Sequence, residues 1–417
     1  MAQLSDDCFA FGGTLLSVDA ALALIAERVT PVVEAEIVPL MEAAGRILAH
    51  DLVAGMDLPP HPNSAVDGYA IVHADLRPDR DTVLPVTGRA AAGHPLGRNI
   101  ERGEAIRIFT GAPMPEGADT VMMQEDCTLA DGRVTMKPGL KKGANRRHAG
   151  EDVERGSVAL SAGRRLKPAD LGLAAALGRD RLRVYRKLRV ALMSTGDEVC
   201  EPGAPLVPGA IYDANRVMLG SLLRGLGCAV TDMGIRPDRE AALAETLTEA
   251  ARGHDLIVTS GGVSTGEEDH VKAAVEKLGR LDFWRLAIKP GRPVALGQVK
   301  GVPLIGLPGN PVAAALTFAI LGRPLILRLG GGAAEAPTLF RVRADFGYKK
   351  RPGRREYVRA SLARDGDTVV ASKYPKDGAG ILSSIVRSDG FVIVDEDADG
   401  LAAGAMVDFL PYAEIIG

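Results

Sequence analysis

The sequence predicts a multidomain α/β plus β protein. Its centre is a doubly wound parallel α/β domain, joined to an extended helical region, an inserted β domain and a C-terminal β barrel. Three observations predict this. The 417 residues exceed one ordinary core and ask for roughly two to four domains. Residues 187–330 alternate apolar strands with amphipathic helices, the pattern of a parallel sheet covered on both faces. Before and after that stretch, short β-type runs are separated by glycine, proline and Asp-Gly steps, which imply smaller all-β modules.

In chain order, Ser17 can cap the helix VDAALALIAERV, and Thr30-Pro31 stops it. A short helix over Leu40–Ala44 ends at Gly45, and Arg46–Val53 reads as a strand. The character changes at Pro59-Pro60: the runs YAIVHADL, TVLPVTGRA, EAIRIFTGA, DTVMMQED and RVTMK make a small β module over 59–147. From Glu151 to Leu182 the chain reads as helical again, with Pro168 suited to a first turn. The β module is therefore inserted between 14–58 and 148–185, the two parts of the helical region, whose first helix can also pack on the α/β domain.

The α/β domain spans 186–330, with strands KLRVALMS, CAVTDMGI, DLIVTS and VPLIGLP. Between and after them come the helices ANRVMLGSLLRGLG, DREAALAETLTEAARG, EEDHVKAAVEKLG and NPVAAALTFAIL. Over 331–417 the pattern is β, and Asp-Gly steps at 365–366, 377–378, 389–390 and 399–400 support hairpin turns of a barrel or sandwich.

Hydrophobic content of 46%, charged content of 25% and a net charge of −3 with both signs scattered describe a soluble globular chain. No basic block marks a nucleic-acid or polybasic membrane binder. The densest basic run, Lys141–Arg147, is a solvated loop or a patch for an anionic small molecule. Cys8, Cys127, Cys200 and Cys228 have no C-x-x-C spacing and read as reduced thiols of a cytoplasmic protein. The N-terminus lacks the basic and apolar regions of a signal peptide. The most apolar stretch, Pro311–Leu329, holds Arg323 and Pro324 and reads as a buried helix ending near that proline, not a membrane span.

The chemistry is expected beyond the carboxyl ends of the strands, where open α/β sheets bind ligands. Four loops fall there: Ser194–Glu198, Ile235–Asp238, Ser260–Asp269 and Leu307–Pro311. In the third, SGGVSTGEED, glycines admit backbone N–H groups close to an anion, and Ser260, Ser264 and Thr265 add hydroxyl donors. Glu267 and Glu268 also satisfy the helix dipole. Asp269 beside such a cradle suits a Mg²⁺-bridged phosphate, because Mg²⁺ is held by one or two carboxylates plus substrate oxygens.

Glu198 and Asp238 end other strands of the same sheet, and three acids round an anion call for a divalent cation. Lys289 and Arg292 add positive charge in a proline-stiffened turn. The loop is neither a Walker loop nor GxGxxG, there is no G-x-S-x-G elbow, and no histidine has a partner at metal-ligand or catalytic spacing. Outside this domain, Pro62–Ala70 stands out, with Thr110–Pro113 and Gly150–Asp152 as weaker signals that also read as turns and caps.

NSAVDGYA, TGAPMPEGADTVMMQED, GEDV, STGDEV, IYDANRVML, SGGVSTGEEDHVK, KPGRPVALG and GLPGNPVAA occur in that order. Together they resemble the molybdenum insertase family, the molybdopterin molybdenumtransferases that include bacterial MoeA and the E domain of gephyrin, from about residue 14 onward. The STGDE and SGGVS segments alone are shared with molybdopterin adenylyltransferases and competence-damage proteins. The resemblance implies the four parts read above and a homodimer whose site receives the partner's inserted domain. It also implies molybdate and adenylylated molybdopterin as substrates, Mg²⁺ or another divalent cation, and release of AMP. Docking of molybdopterin-synthesis proteins and target molybdoenzymes is a further expectation.

The resemblance implies catalytic roles for Asp67, Glu198, Asp238 and Asp269, the last three at the metal. Thr110 and Asp152 would lie across the dimer cleft with Asp67. Ser260, Gly261, Gly262 and Ser264 would bind phosphate or molybdate oxygens. Arg285, Lys289, Arg292, Pro308, Asn310 and Pro311 would shape the pterin and molybdate side, with Arg354 and Ser384 from the C-terminal domain. Val66 departs from the methionine usual in its motif, His61-Pro62 stand where an aromatic is common, and Arg285 and Arg292 stand where lysine is frequent, which bears on ligand geometry. An adenylyltransferase or a non-enzymatic scaffold of the same fold are the competing readings.

Overall fold

The computed structural model describes residues 15–262, 270–333 and 336–416. Its central sheet has six strands: β1 (Arg189–Thr195), β2 (Ala229–Arg236), β3 (Leu256–Ser260), β4 (Gly279–Arg285), β5 (Pro293–Val299) and β6 (Val302–Leu307). They lie in the order β2-β1-β3-β6-β5-β4. The first four are mutually parallel, while β5 runs antiparallel to both its neighbours. The sheet is therefore mixed, not wholly parallel as expected. The added pair β4–β5 frames the Lys289–Pro293 turn, whose prolines and glycine hid the strands beside it.

Alternation in β1 shows why the sheet is covered on both faces. Val190 and Leu192 bury with Leu219, Leu223, Leu316 and Phe318, from the helices over Ala214–Gly225 and Pro311–Leu329. Ala191 and Met193 bury on the other face with Leu243, Leu247, Val271 and Val275, from Glu240–Gly253 and His270–Leu278. The period of two along a strand dictates this division.

Pro324 does not end the Pro311–Leu329 helix as expected. The chain passes through a wide π-type turn over Phe318–Gly322 and continues as Arg323–Leu329. The wider turn accommodates the missing N–H and the ring clash that proline brings to an ordinary helix. The helix is long and apolar enough to cross a membrane, yet it is 78% buried inside the fold and serves as core.

Helix Val18–Arg28 is capped by the Ser17 hydroxyl, which accepts from Ala20 N at 3.2 Å. It buries Val18, Ala21 and Ile25 in the α/β core, and Leu16 N donates to Arg285 O at 2.8 Å. Elsewhere the flanking region is less helical than expected. Leu40–Glu42 is a single 3₁₀ turn, only Leu52–Val53 of Arg46–Val53 is a strand, and within Glu151–Leu182 the α-helix is confined to Pro168–Ala176. Strands Ala35–Pro39 and Arg181–Tyr185 pair antiparallel, as do Leu52–Val53 and Val158–Leu160. Pairing between segments so distant in sequence overrides local propensity.

The inserted domain is a six-stranded sheet in the order Thr120–Met123, Gly68–Ile71, Ala105–Ile108, Thr82–Ala90, Arg133–Met136, Cys127–Ala130. The C-terminal domain closes on itself. Strand Arg355–Asp365 pairs with Thr368–Lys373 on one side and Gly390–Val394 on the other, and Phe340–Ala344 and Met406–Pro411 complete the barrel. Of the four Asp-Gly steps, Asp365-Gly366 makes the expected hairpin turn, whereas Asp389-Gly390 and Asp399-Gly400 lead into strands. Short strand Ile288–Lys289 pairs with Arg355–Glu356, tying the barrel to the α/β domain.

Candidate active site

Register brings the loops together. Ser194 lies beside Ser260, Thr195 beside Arg236, and Ser260 beside Leu307, so β1, β2, β3 and β6 end at one rim. A cavity of about 700 Å³ opens there. Glu198, Asp238, Gly261, Gly262, Lys289, Arg292, Pro308, Asn310 and Arg354, all expected from the sequence, line it with Thr195. An adjoining cavity of about 480 Å³ shares Thr195, Glu198, Gly261 and Asn310 and adds Ser260 and Pro311.

The glycines have a packing reason that the sequence did not show. At Gly261, with φ +86°, a Cβ would lie 2.5 Å from Thr195 O. At Gly262, with φ +63°, it would lie 2.4 Å from Val271 Cγ2 and 2.7 Å from Thr195 Oγ1. Both positions favour left-handed backbone and leave no room for a side chain. Val263–Asp269, with Ser264, Thr265, Glu267, Glu268 and Asp269, lies outside the described residues.

Asn215, within IYDANRVML, supports the site although nothing in its sequence context pointed there. It caps no helix; instead its Nδ2 donates to Ser260 Oγ at 2.8 Å and to Gly309 O at 2.7 Å. It thereby fastens the helix over Ala214–Gly225 to the β3 and β6 loops. The cap of that helix is Asp213, which accepts from Arg216 N at 3.0 Å. Thr195 is 3% exposed and its hydroxyl has no partner among the described residues, an arrangement that leaves it open to a ligand or water.

Lys289 is already engaged. Its Nζ donates to Glu356 Oε2 at 3.0 Å and Tyr348 Oη at 3.2 Å, while Tyr348 Oη donates to Glu356 at 2.6 Å. Burial would depress the Lys289 ammonium, but Glu356 and Tyr348 outweigh it and raise its pKa above the usual lysine value. On the barrel side a third cavity, about 250 Å³, shares Lys289 and Gly291 with the first and is lined by Tyr348, Glu356, Arg359, Lys373 and Tyr374. Arg359 is 7% exposed; its Nη2 donates to Lys376 O at 3.4 Å, and its Nε has no partner among the described residues. Arg354, expected from this domain, lines the first cavity; Arg359 is a further residue not expected from the sequence, because alternation along a barrel strand does not reveal which face meets a neighbouring domain.

Five expected residues do not line these cavities. Ser384 is fully buried, its Oγ donating to Ile381 O at 2.5 Å, so it holds its own turn. Arg285 pairs through its backbone with Pro293, with its side chain exposed. Asp67 and Thr110 belong to the inserted domain. Asp67 Oδ1 accepts from Thr110 N at 2.8 Å and Thr110 Oγ1 at 2.9 Å, bonds that hold its carboxyl below the usual range. Asp152 is exposed near Leu58, to whose carbonyl its N–H donates. Among the described residues no three His, Cys, Asp or Glu side chains form a metal cluster. Glu198 and Asp238 remain two carboxylates on one cavity wall, a donor set that fits a Mg²⁺ sharing its shell with substrate oxygens.

A mixed sheet carrying glycine turns, two acids and several bases at its carboxyl rim, closed by a barrel, defines an α/β enzyme built for anionic ligands. Three family models cover most of the chain: MoeA N-terminal region (domain I and II) over 16–178, probable molybdopterin binding domain over 191–328, and MoeA C-terminal region (domain IV) over 341–412. A molybdopterin molybdenumtransferase of Haemophilus influenzae is 39% identical, covering 97% of this chain and 100% of that protein. A molybdopterin molybdenumtransferase 2 of Mycobacterium tuberculosis is 36% identical over 89% of this chain and 93% of its own length. The crystal structure of a molybdopterin biosynthesis MoeA protein from Pyrococcus horikoshii OT3 superposes with a TM-score of 0.81 at 29% identity, covering 96% of this chain and 100% of that one. The chain belongs to the MoeA family of molybdopterin molybdenumtransferases.

Proposed function

We propose that this enzyme completes the molybdenum cofactor by joining molybdate to adenylylated molybdopterin, with cleavage of the adenylyl anhydride and release of AMP. The observation that carries this is the convergence of Glu198, Asp238, Arg292, Asn310 and the Gly261–Gly262 turn on one cavity, with Lys289 on its border with a second, lined by three bases and the two acids Glu356 and Asp377. The Arg292 guanidinium suits phosphate oxygens, and the glycine turn lets an anion approach the backbone closely, although the Gly261 N–H itself donates to Leu307 O at 3.2 Å. The smaller cavity with Arg359, Lys373 and Lys289 suits a compact oxyanion such as molybdate. The two pterin thiols form bonds to molybdenum in place of oxide, which leaves as water with protons from the thiols and solvent. Hydrolysis breaks one P–O bond of the anhydride, water adding its oxygen to one phosphorus while the bridging oxygen leaves on the other, so that AMP is released.

A divalent cation, Mg²⁺ or another, fits Glu198 and Asp238, with Asp269 the third acid by family resemblance. When bound it polarises the phosphoanhydride and neutralises charge. Arg354 and Ala379 bring the barrel to the cavity wall, and Val312 N donates to Ala379 O at 2.9 Å. An adenylyltransferase needing only the α/β domain would not use them. Asp67, Thr110 and Asp152 do not line their own chain's cavities, which supports a homodimer in which each inserted domain completes the partner's site. The unpaired Cys127, Cys200 and Cys228 suit a cytoplasmic location.

The test supplies pure protein with adenylylated molybdopterin, molybdate and Mg²⁺. AMP and active cofactor are expected together, and chelation is expected to abolish both. AMP formation without cofactor, or neither product, contradicts the proposal.

A further inference from the structure

On one face of the inserted sheet, Tyr69, Arg107 and Arg89 form a row. Tyr69 stands opposite Arg107, and Arg107 opposite Arg89, on three neighbouring strands. Like charges in register repel and destabilise a sheet. Here the repulsion is moderated by Phe109, two positions beyond Arg107 and so on the same face. Both guanidinium carbons lie 4.7 Å from the Phe109 ring centroid, and that of Arg107 also lies 5.2 Å from the Tyr69 ring.

The two arginines differ in what else they do. Arg107 is spent internally, donating to Gly68 O at 3.1 Å and to the Gln124 side chain. Arg89 is exposed, and among the described residues it has no carboxylate at ion-pair distance and only the Phe109 face as partner. Stacking holds its planar fork in place and leaves its N–H donors open, the condition for bidentate phosphate recognition. Thr110 directly follows Phe109 and fixes Asp67, so the ring that carries Arg89 adjoins in sequence the turn holding the acid assigned to the shared site, while Arg107 is the cation that acts on Asp67 itself.

We infer that Arg89, pre-positioned on Phe109, is the residue with which the inserted domain binds a phosphate of the adenylylated substrate. The inference rests on the reading that this domain completes the partner's site. It makes Arg89 a determinant of substrate affinity, with the anhydride chemistry left to the α/β cavity.

The experiment measures steady-state AMP release by the dimeric Arg89→Ala, Arg89→Lys and Phe109→Leu variants, with thermal unfolding as the control for folding. Arg89→Ala is expected to raise KM for adenylylated molybdopterin about tenfold, with kcat kept within about twofold and AMP inhibition weakened in parallel. Arg89→Lys should recover part of the loss, and Phe109→Leu, which keeps the charge but removes its platform, should give a smaller rise. An unchanged KM and AMP inhibition in a folded Arg89→Ala dimer overturns the inference.

Tag-purified heterodimers of Arg89→Ala with Glu198→Gln subunits separate it from the shared-site reading. The intact α/β cavity then belongs to the Arg89→Ala chain but faces a wild-type inserted domain, so a normal KM is expected. A KM that stays raised there places Arg89 in its own chain's site and sinks the shared arrangement alone.

Discussion

The Lys289 ammonium sits 3.0 Å from the Glu356 carboxylate, so a strand turn of the α/β domain is neutralised by the barrel. Glu356 is 2% exposed and also accepts from Tyr348, which places an acid beneath the cavity proposed to hold molybdate. Its charge tempers that of Lys289 and fixes its position.

Glu356→Gln is therefore expected to do two opposing things. Loss of charge-assisted bonds should lower stability by about 1–3 kcal/mol. Release of Lys289 from its counter-charge should make the cavity more positive and lower the half-saturating molybdate concentration. Thermal unfolding and molybdate titration of AMP release check both, and an unchanged molybdate dependence shows that Lys289 does not face the oxyanion.

Asn215→Ala removes both bonds that fasten the Ala214–Gly225 helix to Ser260 and Gly309. A loss of about 1–3 kcal/mol is expected, because the Gly309 carbonyl and Ser260 hydroxyl lose a buried partner. The rate should fall more than binding, since loops that bear on the cavity lose their mutual position. If kcat is unchanged while Tm drops, Asn215 is only a structural tie.

Gly261→Ala puts a methyl group 2.5 Å from a backbone oxygen, at Thr195, and in left-handed backbone. The β1 and β3 ends must separate, so activity should fall about 100-fold or more with only local unfolding. Hydrogen exchange at residues 194–196 and 260–262, compared with the rest of the sheet, reads this. Wild-type turnover would show that the rim tolerates the shift.

Asp255 shows how charge supports the same sheet from its other end. Burial favours the neutral acid, but Arg186 and Arg189 outweigh it and bring the pKa down to about 2. A depressed carboxyl pKa stabilises above its unfolded value, and that contribution is lost as pH falls through the folded pKa. The loss should therefore run from about pH 4 to about pH 2. Asp255→Asn should cost about 3 kcal/mol near neutrality and flatten the acid limb of the stability profile, which denaturant titration across pH measures.

Much of this was legible in the sequence because it is local. Alternating strands and helices gave the α/β core, and loops at strand ends gave Glu198, Asp238, Gly261 and Asn310. What escaped depended on contacts between distant segments. Ala35–Pro39 is a strand only because Arg181–Tyr185 lies beside it. Gly262 is required by Val271 and Thr195 as much as by a ligand. Arg359 joins Arg354 at the site only because the barrel is set against the Lys289 turn, and Arg89 stands out only because register places it beside Arg107.

If the cavity walled by Glu198 and Asp238 cleaves the adenylyl anhydride, single-turnover AMP release by Glu198→Gln reports it most directly. Binding of adenylylated molybdopterin is expected to stay within about threefold of wild type while AMP release slows by about 100-fold or more. Wild-type AMP release by a folded, substrate-saturated Glu198→Gln dimer would contradict it.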